Sequence, residues 1–280
     1  MAAGSERDAQ WDDELRRRAV YVCATVGSRS PVGREAFVSI VAAGGYPEAR
    51  LRDGRRRARW FANYVDTTLD RDLRDLSSAR KLDEVPRLLR LLASQAANVL
   101  SYRSVAAKLD LNHETVREYV GLLQTVFLVR LLPAWRPGIG AREVQTPKAY
   151  LSDSGLLAYL LGADEDRIAT DDQVTGKVIE NFVAMEVLKH ADWARVDSTA
   201  YHYRHREDEV DLVLESRAGE IVAVEVKAAA SVTRRDLRPI EKLRKTRGER
   251  FKAGVVVCTA AQTTPLGDRL WAVPLSSLWA

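Results

Sequence analysis

Up to about His190 most apolar side chains recur at helical spacing; beyond it they alternate one for one with polar ones. Asp12 to Val26 reads as a helix that Ser30-Pro31 ends, and a short helix runs from Gly33 to Ala42. Gly44-Gly45-Tyr46-Pro47 signals a turn. A charge-dense helix then spans Gly54 to Leu76, with Trp60, Phe61, Tyr64, Val65, Thr68 and Leu69 as its apolar stripe. Its first turns carry Arg55, Arg56, Arg57 and Arg59, at the end where the helix dipole disfavours cations. Val85, Leu88, Leu89, Leu91, Leu92 and Ala96 mark another helix. Ser101 caps a short helix from Tyr102 to Leu109. After the turn Asp110-Leu111-Asn112, Asn112 caps a helix from His113 to Thr125, with Val116, Tyr119, Val120 and Leu123 facing inward. Phe127–Leu132 and Ala149–Ser152 read as strands flanking a Pro- and Gly-rich excursion. Three helices with a tight turn between the last two, then a hairpin, predict a winged helix-turn-helix.

A helix from Thr175 to His190 follows, then short strands at Thr199–Arg204, Glu209–Ser216 and Glu220–Lys227, a helix from Arg234 to Lys245 and an apolar strand over Ala253–Thr259. Arg217-Ala218-Gly219 fits a three-residue hairpin loop with Gly in the left-handed position. Ser216 then pairs with Glu220, and counting outward sets Asp211 opposite Glu225 and Glu209 opposite Lys227. One face carries Val210, Leu212, Leu214, Val222, Val224 and Val226, and the other carries Asp211, Glu225 and Lys227. A loop of two or four residues would separate Asp211 from Glu225, and the all-apolar opposite face argues against it.

Two carboxylates facing each other across a ladder repel unless something compensates. A hard divalent cation, Mg²⁺ or Mn²⁺, takes oxygen ligands and compensates. Asp211 and Glu225 are the expected metal ligands. Lys227 is expected to position or deprotonate an attacking water, or to stabilise the transition state of phosphodiester cleavage. Glu180 on the preceding helix supplies a further ligand or holds a water. The alternative is a surface face with a Glu209–Lys227 ion pair and no metal. His202 and His205, flanking Tyr203, read as a surface pair, and Asp153-Ser154-Gly155 as a turn that caps the helix after it. Trp271 and Trp279 are expected to close the core of the C-terminal domain.

Composition adds modest constraints. A chain of 280 residues with 46% apolar and 29% charged side chains is sized for two or three globular domains. No stretch approaches the ~18 apolar residues of a membrane helix. The N-terminus has no apolar core of a secretory signal, so a cytoplasmic protein with no membrane partner is expected. Cys23 and Cys258 are far apart and not in metal-ligand spacing. A net charge of +4, mostly from arginine, suits a nucleic-acid partner. On the winged helix, Thr115 and Arg117 are the candidates for base or phosphate contacts, with Arg136, Arg142 and Lys148 on or near the wing; Glu114 and Glu118 would repel phosphate.

Asp211 and Glu225-Val226-Lys227 resemble the PD-(D/E)xK nuclease signature, with Val210 where a proline usually precedes the aspartate. A wider resemblance rests on Gly44-Gly45-Tyr46-Pro47-Glu48, Tyr150-Leu151-Ser152-Asp153-Ser154-Gly155-Leu156, Gly176-Lys177-Val178-Ile179-Glu180-Asn181-Phe182-Val183, Tyr203-Arg204, Glu209-Val210-Asp211 and Val224-Glu225-Val226-Lys227. Together they look like the C-terminal region, a domain of unknown function, of a prokaryotic AAA-type ATPase family. The resemblance implies an α/β fold of the α+β kind: residues 1–45 a helical remnant of the ATPase lid, 46–165 a helical linker and winged helix-turn-helix, and 170–280 a restriction-endonuclease-like αβββαβ domain. The family's ATPase domain carries a phosphate-binding loop, but no G-x-x-x-x-G-K-[ST] string occurs here, so no ATP site is expected in this chain. The expected function is nucleic-acid binding, DNA foremost, with a metal-dependent nuclease site and an ATPase or other protein acting in trans. The alternative is a non-enzymatic DNA- or protein-interaction module.

Overall fold

The structure is a computed structural model that describes residues 30, 32–72, 82–136 and 146–278. The helix expected over Asp12–Val26, the end of the long helix at residues 73–76, Cys23, Arg142 with most of the excursion around it, and Trp279 lie outside the described residues. The fold is α+β, helical in its N-terminal part. It divides into two compact units, one of Glu35–Met185, the other from Glu186 onward with the segment ending at Arg34.

The first unit is built from α1 (Arg34–Ala43), α2 (Pro47–Arg50), α3 (Gly54–Thr67), α4 (Val85–Ser94), α5 (Tyr102–Leu109), α6 (His113–Thr125), β1 (Val129–Leu132), β2 (Lys148–Leu151), α7 (Ser154–Leu160), α8 (Glu165–Thr170) and the first part of α9 (Asp172–Asp192). Its core follows the sequence periodicity. Val85, Leu88, Leu89 and Leu92 of α4 are fully buried, as are Val116 and Leu123 of α6, with Tyr119 and Val120 nearly so. Ser101 Oγ accepts the Ser104 N–H and Asn112 Oδ1 the Glu114 N–H, so both expected caps form. Asp110 takes the left-handed conformation that ends α5. β1 pairs antiparallel with β2, Val129 opposite Leu151. The segment between α4 and α5 lies on the other side of β2: Ala97 N donates to Ala149 O, and Leu100 N to Pro147 O. Tyr46, Trp60, Phe61 and Tyr64 form an aromatic cluster joining α2 to α3, with Trp60 and Tyr64 stacked at 5.3 Å.

The second unit is a six-stranded mixed sheet in the order β3-β4-β5-β6-β8-β7 with one long helix: β3 (Ser198–His205), β4 (Asp208–Ser216), β5 (Ile221–Lys227), α10 (Arg234–Arg247), β6 (Phe251–Cys258), β7 (Thr264–Gly267) and β8 (Leu270–Pro274). The first two pairs are antiparallel; β5–β6 and β6–β8 are parallel. The β4–β5 hairpin has the three-residue loop that the sequence implies. Ser216 N donates to Glu220 O, Gly219 takes φ +75°, and Leu212 faces Val224. Ala223 pairs in register with Gly254 of β6, and a Cβ on Gly254 would meet Ile240 of α10 at 2.5 Å. These two small residues let α10 seat Leu237, Ile240 and Leu243 on this face of the sheet. The period-two strands are therefore covered on both faces, since Val213, Ile221 and Ala223 are as buried as Val210 and Leu212. His202 belongs to the interior as well: it is 2% exposed, next to the irregularity in β3 between Tyr201 and Tyr203, while His205 is exposed. The surface pair expected of these two histidines does not form.

Both outer strands are interrupted. β3 carries that irregularity, and β7 is four residues long, contains Pro265 and shifts register before Gly267. No helix among the described residues is long and apolar enough to cross a membrane.

Candidate functional site

In the second unit, Asp211, Glu225 and Lys227 share one face because of the hairpin register. The ladder between β4 and β5 ends at Leu212–Val224, although both strands run on. One step further, Asp211 faces Glu225, and the Asp211 carboxylate replaces a ladder carbonyl: its Oδ2 accepts the Val226 N–H at 2.9 Å. β5 continues on its other side, pairing Glu225, Val226 and Lys227 with Val256, Val257 and Cys258 of β6. The strands thus part where the two carboxylates sit, each 7% exposed.

Lys227 Nζ lies 2.9 Å from Glu225 Oε1 and 3.5 Å from Asp236 Oδ1 on the first turn of α10. Burial alone would lower the Lys227 pKa. Glu225, Asp211 and Asp236 outweigh it, and the net shift is upward. The Lys227 ammonium is thus favoured by the carboxylates around it, which suits a positive-charge role. The Glu209–Lys227 pairing of the alternative reading does not occur: Arg204 Nε lies 3.9 Å from Glu209. Among the described residues no group of three or more His, Cys, Asp or Glu side chains is arranged to hold a metal ion, so a cation here would rest on two carboxylates.

Asp236 was not among the residues expected at this site. Its signal was present as Thr233-x-x-Asp236, the sequence form of a capping box. Asp236 Oδ2 accepts from the Thr233 N–H at 2.9 Å and from Thr233 Oγ1 at 2.7 Å, which holds the carboxylate toward Lys227. Burial acts to raise the Asp236 pKa, but the Thr233 hydrogen bonds and Lys227 bring it below the ordinary value. A carboxyl with a lowered pKa contributes stability that is complete above its unfolded-state pKa and is lost as pH falls through the folded one. Asp236→Asn is expected to cost about 1 kcal/mol near neutral pH. The gap between variant and wild type should close in acid, below about pH 4, in urea melts run across pH. A gap independent of pH would refute the charge assignment.

The other sequence-expected residues lie in the first unit. Glu180 Oε1 accepts from Lys148 Nζ and from Tyr150 Oη, both at 3.0 Å. Lys148 is 1% exposed, so it is not a phosphate contact on an exposed wing. β2 is buried at every position, and a charge there requires a partner. Thr115 is half-buried; Arg117 is exposed, its guanidinium 5.1 Å from the centre of the Tyr102 ring, beside exposed Glu114 and Glu118. Arg136 is half-buried.

The motif strings of this unit meet one another. Asp153 caps α7 through the Leu156 N–H and accepts the Gly45 N–H at 2.6 Å, and Asn181, fully buried, bonds both the N–H and the C=O of Leu151. These residues close the core of the unit, and Ser154 is buried inside it.

Comparison with known proteins places a boundary between residues 167 and 175, before the start of the second compact unit at Glu186, so Glu180 falls with Asp211 in one match. Residues 34–167 match a domain of unknown function, DUF8612, and residues 175–278 match another, DUF4143. An uncharacterized protein of Mycobacterium tuberculosis and one of Mycobacterium bovis are each 29% identical over 252 residues, which cover 88% of this chain and 54% of the relative. The chain therefore spans about half the length of the curated relatives it matches. No solved structure matches. The chain is thus similar, along most of its length, to two successive domains of unknown function and to about half of two larger mycobacterial proteins.

Proposed function

We propose that the chain is a nucleic-acid-binding protein whose second unit carries a metal-dependent phosphodiesterase site formed by Asp211, Glu225 and Lys227. The observation that carries this reading is the pair of buried carboxylates where β4 and β5 part, with an ammonium beside them. Two oxygen-donor carboxylates fit Mg²⁺ or Mn²⁺, because Mg²⁺ is commonly held by one or two carboxylates and keeps several waters. A bound hard cation supplies positive charge against a scissile phosphate and acidifies water. Asp211 is oriented for this by the Val226 N–H, and Glu225 by the continuous pairing of β5 with β6. Lys227, beside Glu225, would present positive charge where negative charge grows during cleavage.

The first unit supports the nucleic-acid part of the reading. α4, the segment pairing with β2, α5, α6 and the β1–β2 hairpin follow the order of a winged helix-turn-helix. In that arrangement Thr115 and Arg117 stand on the recognition helix, with Arg136 toward the wing. DNA is the partner in this reading, with an ATPase or other protein acting in trans, as the resemblance to the C-terminal region of AAA-type ATPases suggests.

A second reading has one observation in its favour. The Lys227–Glu225 ion pair compensates one of the two site carboxylates without any metal, which suits a non-enzymatic DNA- or protein-interaction module. Calorimetric titration of Mg²⁺ or Mn²⁺ separates the two. The wild type is expected to bind, and Asp211→Asn and Glu225→Gln to bind at least about 100-fold more weakly, with cleavage of plasmid and single-stranded DNA lost in step. Wild-type protein that takes up no cation and cuts neither substrate would leave the interaction module as the function.

A further inference from the structure

α10 is the wall of the candidate site, and its outer face is basic. Arg234, Arg235, Arg238, Lys242 and Lys245 are all exposed. Asp208 at the start of β4 holds Arg238 Nε at 3.6 Å and Lys242 Nζ at 2.6 Å. Arg234, Arg235 and Lys245 have no carboxylate partner among the described residues. The helix's own electrostatics oppose this arrangement. Arg234 and Arg235 stand at the positive end of the helix dipole. Arg234 and Arg238 are four residues apart, as are Arg238 and Lys242, a spacing at which like charges cost about 0.2–0.5 kcal/mol each. The opposite face buries Leu237, Ile240 and Leu243 in the sheet. No apolar face is left for insertion into a membrane.

We propose that this basic face is the track on which a polynucleotide backbone lies, with its first turn delivering the strand to the carboxylates. The proposal rests on the phosphodiesterase reading for the bond to be cut. It adds the surface that holds the polymer, a row of phosphate subsites along one helix. Asp236 touches Lys227 and lies in the first turn of α10 with Arg234 and Arg235, so the N-terminal end of the basic face and the candidate site are at the same end of the helix. From Arg235 to Lys245 the helix rises about 15 Å, the length of four to five nucleotides at ~3.4 Å each. An acidic protein would meet the same cations, but the carboxylates at the head of the track have chemistry to offer only a phosphodiester.

The test is anisotropy binding of a labelled mixed-sequence DNA duplex to the full chain in EDTA, across a series of salt concentrations. Arg234→Gln/Arg235→Gln/Lys245→Gln is expected to bind at least about tenfold more weakly at ~0.1 M salt, and to flatten the slope of log affinity against log salt by about 2–3. Lys245→Gln alone, at the far exposed end, should flatten it by about 1; it keeps the test alive if the triple variant does not fold. Arg217→Gln, which removes an exposed arginine already paired with Asp197, should leave the slope unchanged. Unchanged slopes in both the triple and the single variant would overturn the proposal, as would polyglutamate competing as well as DNA of equal charge. Metal titration of the triple variant should match the wild type, so loss of the track is distinguishable from loss of the cation site. A wild type that binds DNA steeply but takes up no cation would sink the phosphodiesterase reading and leave the track standing.

Discussion

Glu180→Ala is expected to destabilise the first unit by about 3–5 kcal/mol, because it breaks the ion pair of a lysine held in the interior. Lys148 is 1% exposed on a strand buried at all four positions, and its ammonium pairs with Glu180. Glu180 itself is 21% exposed, so most of the desolvation falls on the lysine. Removing the acid takes the Glu180 carboxylate from that charge and an acceptor from Tyr150 Oη as well. Removing both charges is a different matter, since a well-packed apolar replacement of a buried pair is often neutral or better. Lys148→Met/Glu180→Leu should therefore recover most of the loss. Urea melts of the two single variants and the double variant form the cycle that measures this. Additive losses, with the double variant worse than either single one, would show that the pair is not a unit.

Gly44→Ala is expected to cost about 2–5 kcal/mol, the sum of overpacking and a left-handed alanine. Gly44 has φ +72°, and a Cβ there would lie 2.2 Å from Asp153 Oδ1. A surface carboxylate would swing aside. Asp153 is held by the Gly45 and Leu156 N–H groups, so moving it strands two donors. Thermal unfolding checks the figure. A shift in midpoint no larger than that of an exposed alanine substitution would mean that the Asp153 loop yields freely.

Local signals in the sequence carried far. Ser101 and Asn112 announce caps because a short polar side chain next to an orphan N–H has one dominant use. The hairpin register followed from Gly219, and with it the shared face of Asp211, Glu225 and Lys227. What the sequence could not announce was partnership across distance. Nothing near Lys148 signals that its counter-ion is Glu180, 32 residues on. A lysine beside a Pro- and Gly-rich excursion reads as a wing residue until the strand is seen to be buried throughout. The second cover on the sheet was hidden for a related reason. Val213, Ile221 and Ala223 stand on the face that the charged residues made look polar, and only the seating of α10 over Gly254 shows that face to be interior. β7 and β8 were missed because they are four and five residues long, and each contains a proline. Asp236 was legible, but a capping pattern says where a helix starts, not which lysine its carboxylate will meet.

The interrupted outer strands of the sheet bear on how the chain behaves at high concentration. A mixed sheet of six strands has two rows of backbone donors and acceptors open to a neighbour, and flat edges of that kind template aggregation. Here one edge is broken by the irregularity at Tyr201–Tyr203, and the other is shortened, carries Pro265 and slips register at Gly267. Neither offers an unbroken row on which a second copy can zip, so the sheet is guarded against growing into a fibre at the rims where growth would start.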